Sequence, residues 1–458
     1  MEDPRWHGIG LAWLMAAVMH LLTFDWLVPP AWGGVIYLAA TLFLLMNPGS
    51  FIRILVLVLT TFSVFLLNYP DLSNHLVLEF WFLGSVLSIG AWRLVRRRPV
   101  SVSDCFDLCV PIARLHYILL YLFSFIAKLN ADFLSPETSC AARFLKEIGR
   151  AYHLNGFSFV GGVFESGMAG HCAIWLTLGF EILIPCLLCF GRTRRVGIGV
   201  AICFHLLMGF VPILGISSFS ALSVVFLLFF YSSDSLCHFG KNLPRISSLK
   251  KGVLGLVVVG GLWIQFYGFH LSYEFATSVW ALMTIPLVYW MFKSLVRGSR
   301  MKMPTRSRMA ISPMIQACSS IPIIALGMFP YLGIQTQGSF TMFSNLRVLG
   351  EQSNHLFISS SWRVMNPELI QIVNTNHSEL EKYPGSLLRI TDHELRRVIG
   401  EDERDFFLIC EYKGEMLWLQ RSEGIATAHP LTEPLPRISG HFLRYKDVSV
   451  AAHNTCSW

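Results

Sequence analysis

Charge is the first thing this sequence lacks. Only 14% of its 458 residues are Asp, Glu, Lys or Arg, against about 25% in ordinary soluble domains. It also lacks a P-loop, a Rossmann glycine pattern, HExxH and GxSxG in any credible context. Those absences remove the usual signatures of nucleotide binding, zinc hydrolysis and serine catalysis. The N-terminus lacks the short basic segment and cleavage site of a signal peptide, so the first apolar run reads as retained. No internal repeat or low-complexity segment stands out. Eleven cysteines are scattered, several inside apolar runs. Cys105 and Cys109 lie four apart, but no second pair or histidine cluster completes a metal set. The cysteines therefore read as singly packed side chains, and no metal is expected.

What the chain has is apolar length. Hydrophobic residues make up 53% of it, and its mean hydropathy is +0.53. Nearly uncharged runs lie near 8–29, 33–48, 50–68, 76–95, 111–130, 171–190, 196–216, 218–232, 253–271, 275–295 and 312–332. Runs of about 18–22 residues can cross a hydrocarbon core of about 30 Å, whereas core helices of a soluble protein show runs of about 10–14. The expected fold is an all-α polytopic membrane bundle of about eleven helices over residues 1–332. Boundaries within 33–68 and 196–232 are soft, and the short 218–232 run could be re-entrant.

Four basic clusters punctuate the connections: Arg93, Arg96, Arg97 and Arg98; Arg192, Arg194 and Arg195; Lys241, Arg245, Lys250 and Lys251; and Arg297, Arg300, Lys302, Arg306 and Arg308. With eleven spans all four fall on one side, which the positive-inside rule makes cytoplasmic. The net charge of +7 is thereby accounted for by topology, with a lipid bilayer rather than a nucleic acid as partner. The N-terminus is then expected inside, and the 131–170 loop and the tail outside, in a membrane of the bacterial plasma type. The tail, 333–458, has ordinary charge density and reads as a small extracytosolic α+β domain. In it Thr391 is a candidate N-cap for a short helix, and Phe406 to Arg421 reads as two strands about the Lys413-Gly414 turn.

Ionisable groups inside spans cost about 2.5–3.5 kcal/mol each on insertion scales, and mark functional sites. Lys128 closes the fifth run. It reads either as a lysine snorkelling to the interface and pairing with Asp132 at i+4, or as a neutral amine base at a dry boundary. His75, preceded by Asn74, starts the fourth run on the same side, with Glu79 one turn further in. Glu181 and His205 sit deep in the sixth and seventh runs, where each needs a partner. They read as an internal polar pocket or as a satisfied structural pair. Arg114 and His116, at the other end of the lysine's helix, read as snorkelling or helix-bridging groups.

The segment from Arg114 through Lys128-Leu-Asn-Ala-Asp-Phe133 resembles the central motif of the vitamin K-dependent gamma-carboxylase-like family, also called the HTTM (horizontally transferred transmembrane) domain family. Asn74-His75 upstream, Gly179-Phe180-Glu181, the basic turn at 191–195 and Phe204-His205 downstream follow in the family's order. So do Thr336-Gln337-Gly338 and Phe343-Ser344-Asn345-Leu346 past the last run.

The resemblance spans roughly residues 10–360 and implies an enzyme in which Lys128 deprotonates reduced vitamin K or a menaquinone-like hydroquinone. His75 would act beside it as a second catalytic residue. Asn74, Arg114, Glu181 and His205 would support the cofactor, and a secreted peptide or protein would be the substrate. A non-enzymatic member assisting peptide maturation or export is the alternative it implies. Two departures accompany the resemblance. His116 stands where glutamine is usual, and about 120 residues follow the last run, where the carboxylases have a much larger lumenal portion. The expectation therefore narrows to a quinol- and oxygen-handling core.

Overall fold

The computed structural model describes residues 3–24, 27, 32–97, 101–153, 166–211, 213–244, 246–266, 273–297, 313–436, 440, 442–449 and 456. Arg98, Arg245, Arg300, Lys302, Arg306 and Arg308 of the basic clusters lie outside them.

Each of the eleven apolar runs falls on a helix. In chain order these are α1 (Arg5–Thr23), α2 (Trp32–Met46), α3 (Phe51–Asn68), α4 (Asn74–Val95) and α5 (Val102–Lys128). After two helices in the following loop, α6 (Ala131–Leu134) and α7 (Cys140–Ala151), come α8 (Gly167–Cys189), α9 (Arg194–Gly209), α10 (Leu214–Leu228) and α11 (Ser233–Asn242). Then follow α12 (Ser248–Phe266), α13 (Tyr273–Arg297) and α14 (Pro313–Met328). Among the described residues seven helices are long and apolar enough to cross a membrane. The count becomes eight if α10 and α11, bent by 120° to one another, form one span.

Burial divides these helices as composition demands. Helix α1 is buried over nearly its whole length and packs along α10 at the centre; helices apolar on all sides belong in such places. Helices α2, α3, α8, α12 and α13 instead leave large apolar side chains exposed, among them Ile36, Leu59, Trp175, Leu256, Trp263 and Leu282. A soluble protein would cover such a surface; the pattern is compatible with a multi-pass membrane protein.

The C-terminal sheet has six strands, β1 (Leu369–Thr375), β2 (Leu388–Thr391), β3 (Phe406–Tyr412), β4 (Glu415–Ser422), β5 (Ile425–Ala426) and β6 (Val448–Ser449), in the order β5-β4-β3-β1-β2-β6. All neighbours are antiparallel. The β3–β4 hairpin turns at Lys413-Gly414, both with positive φ, as a tight hairpin turn requires. Thr391 caps α15 (Asp392–Glu401), its side chain accepting from Glu394 N. That helix lays Leu395, Val398 and Ile399 over the core of Ile370, Ile390 and Leu408.

Residues 333–366 hold no strand; they run across one end of the bundle and join it to the sheet. There Leu356 N donates to Leu129 O, and Asn345 bonds Cys140 N and Thr138 O. Arg444 pairs with Asp71 at 2.9 Å. A disulfide links Cys140, at the start of α7, to Cys456. This corrects the expectation that every cysteine packs singly: the pair is separated by 316 residues, a distance over which no spacing pattern signals pairing. At the opposite end Arg5 donates to Ser103 and Ser233 and pairs with Asp107, tying together the starts of α1, α5 and α11.

Candidate functional site

The site begins with how α5 ends. Its start is fixed by a capping box between Ser101 and Asp104, and its last turn by Asn130. The buried Asn130 amide donates to Ala127 O and Ser344 O, while its oxygen accepts from Phe133 N. One side chain thus closes α5, opens α6 and holds the 338–345 segment against both. Lys128, two residues before Asn130, is buried rather than reaching for the interface.

Its ammonium stands 2.8 Å from Glu181 Oε1 on α8, and donates to Ser124 Oγ at 2.8 Å and to Met342 O at 3.2 Å. Ser124 Oγ in turn donates to the same Glu181 oxygen at 3.0 Å. The expected i+4 partner, Asp132, instead accepts from Asn354 Nδ2 at 2.7 Å. An ammonium has three N–H groups, and these three contacts use them all.

Beside this pair is a small cavity of about 50 Å³, with walls that include Leu120, Tyr121, Phe133, Phe144, Phe204 and Phe219. A second cavity of about 600 Å³ lies between bundle and sheet, with Asn74 and His75 on one side and Tyr383, Glu394, Arg397 and Lys446 on the other. Lys128 and His75 therefore line neighbouring cavities, not a common one. Phe219, Met342 and Phe343 belong to the walls of both and form the partition. Phe340 and Phe343 have φ of 59° and 52°, a left-handed conformation costing a non-glycine residue about 1–2 kcal/mol. Strain of this kind persists only where surrounding contacts impose it. Here they are the Lys128 bond to Met342 O and the bond from Phe340 N to Asn74 Oδ1, 2.6 Å long.

Electrostatically the larger cavity is mostly balanced. Asp71 is paired with Arg444, Glu394 with Arg397, and Asp447 with Lys382 and the Tyr383 hydroxyl. Lys446 differs. Burial, and secondarily the like charge of Lys128, push its ammonium down to about 8.

The remaining expected residues are distributed around this centre. His75 sits in the first turn of α4 with Ser73 Oγ 3.2 Å from Nδ1 and Ser218 Oγ 3.1 Å from Nε2. His205 Nε2 lies 2.6 Å from Tyr121 Oη and 3.1 Å from Tyr117 Oη. It does not pair with Glu181; Tyr121, one turn below Ser124, stands between the two networks. Arg114 is about four turns from Lys128 along α5. It donates to the carbonyls of Phe229 and Tyr231, just past the end of α10. His116 bonds Ser319 O on α14. Both bridge helices, away from Lys128.

A second buried cluster includes three residues not singled out in sequence. Glu79 accepts from Trp13 Nε1 at 2.8 Å and faces His20 Nε2 at 3.8 Å, while His20 Nδ1 is 3.1 Å from Tyr37 Oη. A polar side chain within the first, central run was the available signal for His20. No group of His, Cys, Asp and Glu able to hold a metal occurs among the described residues. Comparison with protein-family models, with curated proteins and with solved structures returned no match to this chain.

Proposed function

We propose that this chain is a multi-pass membrane enzyme in which Lys128 and Glu181 handle a proton of a lipophilic hydroquinone, as its resemblance to the gamma-carboxylase-like family implies. All eleven helical apolar runs are read as crossings. The shorter α2, α9, α10 and α14 reach about 23 Å at 1.5 Å per residue, within the range that tilt, local thinning and flanking residues accommodate. The N-terminus is then cytoplasmic and the sheet domain outside. Two observations support that orientation: Arg5 lies against the start of α5 and Arg93 in the last turn of α4, the ends opposite Lys128 and the cavity-lining Asn74, and the Cys140–Cys456 disulfide belongs in an oxidising compartment. Membrane-impermeant labelling of the sheet domain in intact cells tests it; protection from the label contradicts it.

The observation that carries the enzymatic reading is the 2.8 Å contact between Lys128 and Glu181 at the wall of an apolar cavity. A buried ion pair in an apolar wall is a costly arrangement, and one proton transfer within it yields a neutral amine able to act as a base. The donor set suits a phenolic hydroxyl. The 50 Å³ cavity holds no more than a water or two, so a ring system enters only when Phe219, Met342 and Phe343 move and the two spaces merge. A bound hydroquinone would supply, with oxygen, the driving force for removing a carbon-bound proton. The chain's own part is to accept the phenolic proton at Lys128 Nζ, the amine having first given its own proton to Glu181, and to exclude water. His75 and Asn74 line the side from which a second substrate would approach.

Reconstitution in lipid with reduced menaquinone or vitamin K tests this. Epoxide should form with the native chain and fail to form with Lys128→Ala. Lysine-independent epoxide, or none where a true carboxylase works, refutes the reading.

The larger cavity favours one other reading. At about 600 Å³ and open between sheet and bundle, it has room for a peptide segment, so an accessory role in peptide maturation is the alternative. Peptide binding that survives Lys128→Ala, without turnover, distinguishes it.

A further inference from the structure

Residues 356–365, Leu-Phe-Ile-Ser-Ser-Ser-Trp-Arg-Val-Met, run along the join between bundle and sheet. Both ends are pinned to helix termini. Leu356 N donates to Leu129 O, just past α5, and His355 Nε2 lies 2.9 Å from Ile126 O. Val364 N and Met365 N both donate to Leu332 O, just past α14. The segment therefore sits at the level where two apolar helices, α5 and α14, end.

Most of its apolar side chains face outward, with the small hydroxyls of Ser359 and Ser361 exposed among them and Ile358 half-buried. Phe357 and Val364 are each 75% exposed and Trp362 is 52% exposed, with Leu356 and Met365 exposed beside them. The one charged residue, Arg363, turns back: its Nε donates to Ser360 O, and it lines a polar groove with Glu351 and Glu368. Such an arrangement, apolar outward and charge inward, would be a liability in water. At a bilayer surface it is favourable, because aromatic side chains settle at the headgroup level.

We infer that residues 356–365 form an interfacial anchor in the outer leaflet, with Phe357, Trp362 and Val364 in contact with lipid. This rests on the multi-pass reading given above and adds a contact that the helices themselves do not provide. On α14, whose end holds Val364 and Met365 through Leu332, Ile321 and Ile324 are likewise exposed. The anchor fixes the height of the sheet above the membrane, and with it the mouth of the 600 Å³ cavity.

The test uses the full chain in vesicles of phosphatidylcholine brominated high on the acyl chains. Subtracting the emission of a Trp362→Phe variant isolates this residue from the other tryptophans of the 13 present. The expected result is that the difference emission is largely lost in brominated lipid, and less so when the bromine lies deep in the chains. If it is unchanged while the remaining tryptophans, Trp175 and Trp263 among them, are quenched, the anchor is wrong and the membrane reading stands. If no tryptophan is quenched, the membrane reading falls and the anchor with it. Efficient cross-linking of two copies through Phe357→Cys, with Trp362 shielded from bromine, assigns the surface to a second copy and likewise overturns the inference.

Discussion

Ser124 and Lys128, one turn apart on α5, converge on a single oxygen of Glu181, at 3.0 and 2.8 Å. A lone buried carboxylate or ammonium would be intolerable there; together they are held by α5, α8 and the 338–345 segment. Removing one partner strands the other charge.

Lys128→Met or Glu181→Leu alone should therefore destabilise the chain by about 3–5 kcal/mol, while the double substitution should recover most of that loss. Thermal unfolding in nanodiscs reads the difference. Additive losses in the double variant would show that the two groups do not compensate one another.

Lys446 predicts a pH dependence of stability. Its ammonium is pushed down to about 8 from 10.5. Between those values the unfolded chain keeps a proton that the folded chain has lost, so stability rises with pH across this window and is lowest below it. Lys446→Met should flatten the rise and stabilise the chain near neutrality. Melting temperatures measured from pH 7 to 10 check both; a rise that persists in the variant assigns it to another group.

Opening the partition should ease ligand entry. Phe219→Ala joins the two cavities without touching the Lys128–Glu181 contact. If ring access limits turnover, kcat/KM for the hydroquinone increases several-fold while the dependence on Lys128 is kept. The same substitution removes a half-buried ring that contacts both His75 and His205, so stability falls with it, by less than the roughly 3–5 kcal/mol of a fully buried phenylalanine. A fall in kcat/KM with the melting temperature corrected for would argue that the partition is part of the binding wall instead.

How much of this was legible beforehand follows from the range of each interaction. The helices were readable because a long uncharged run is a local property, and the β3–β4 hairpin because Lys413-Gly414 marks its turn. Lys128 and Glu181 could each be flagged as expensive inside an apolar run. Their pairing could not, since it depends on α5 lying against α8, and the local candidate, Asp132, was the wrong one. The join between Glu79, Trp13 and His20 was hidden for the same reason. Lys446 looks like any tail lysine until the sheet is folded over the bundle.

Cys456→Ser should lower stability by about 2–4 kcal/mol. In the native chain, Cys140 and Cys456 should resist maleimide until reduced. Labelling without reductant would mean that the bond does not form.

That bond also sets an order of events during synthesis. Cys456 follows every apolar helix among the described residues, so Cys140 meets its partner only after the bundle and the sheet have been synthesised. The sheet over the larger cavity is therefore tied down only after the last of those helices has been made.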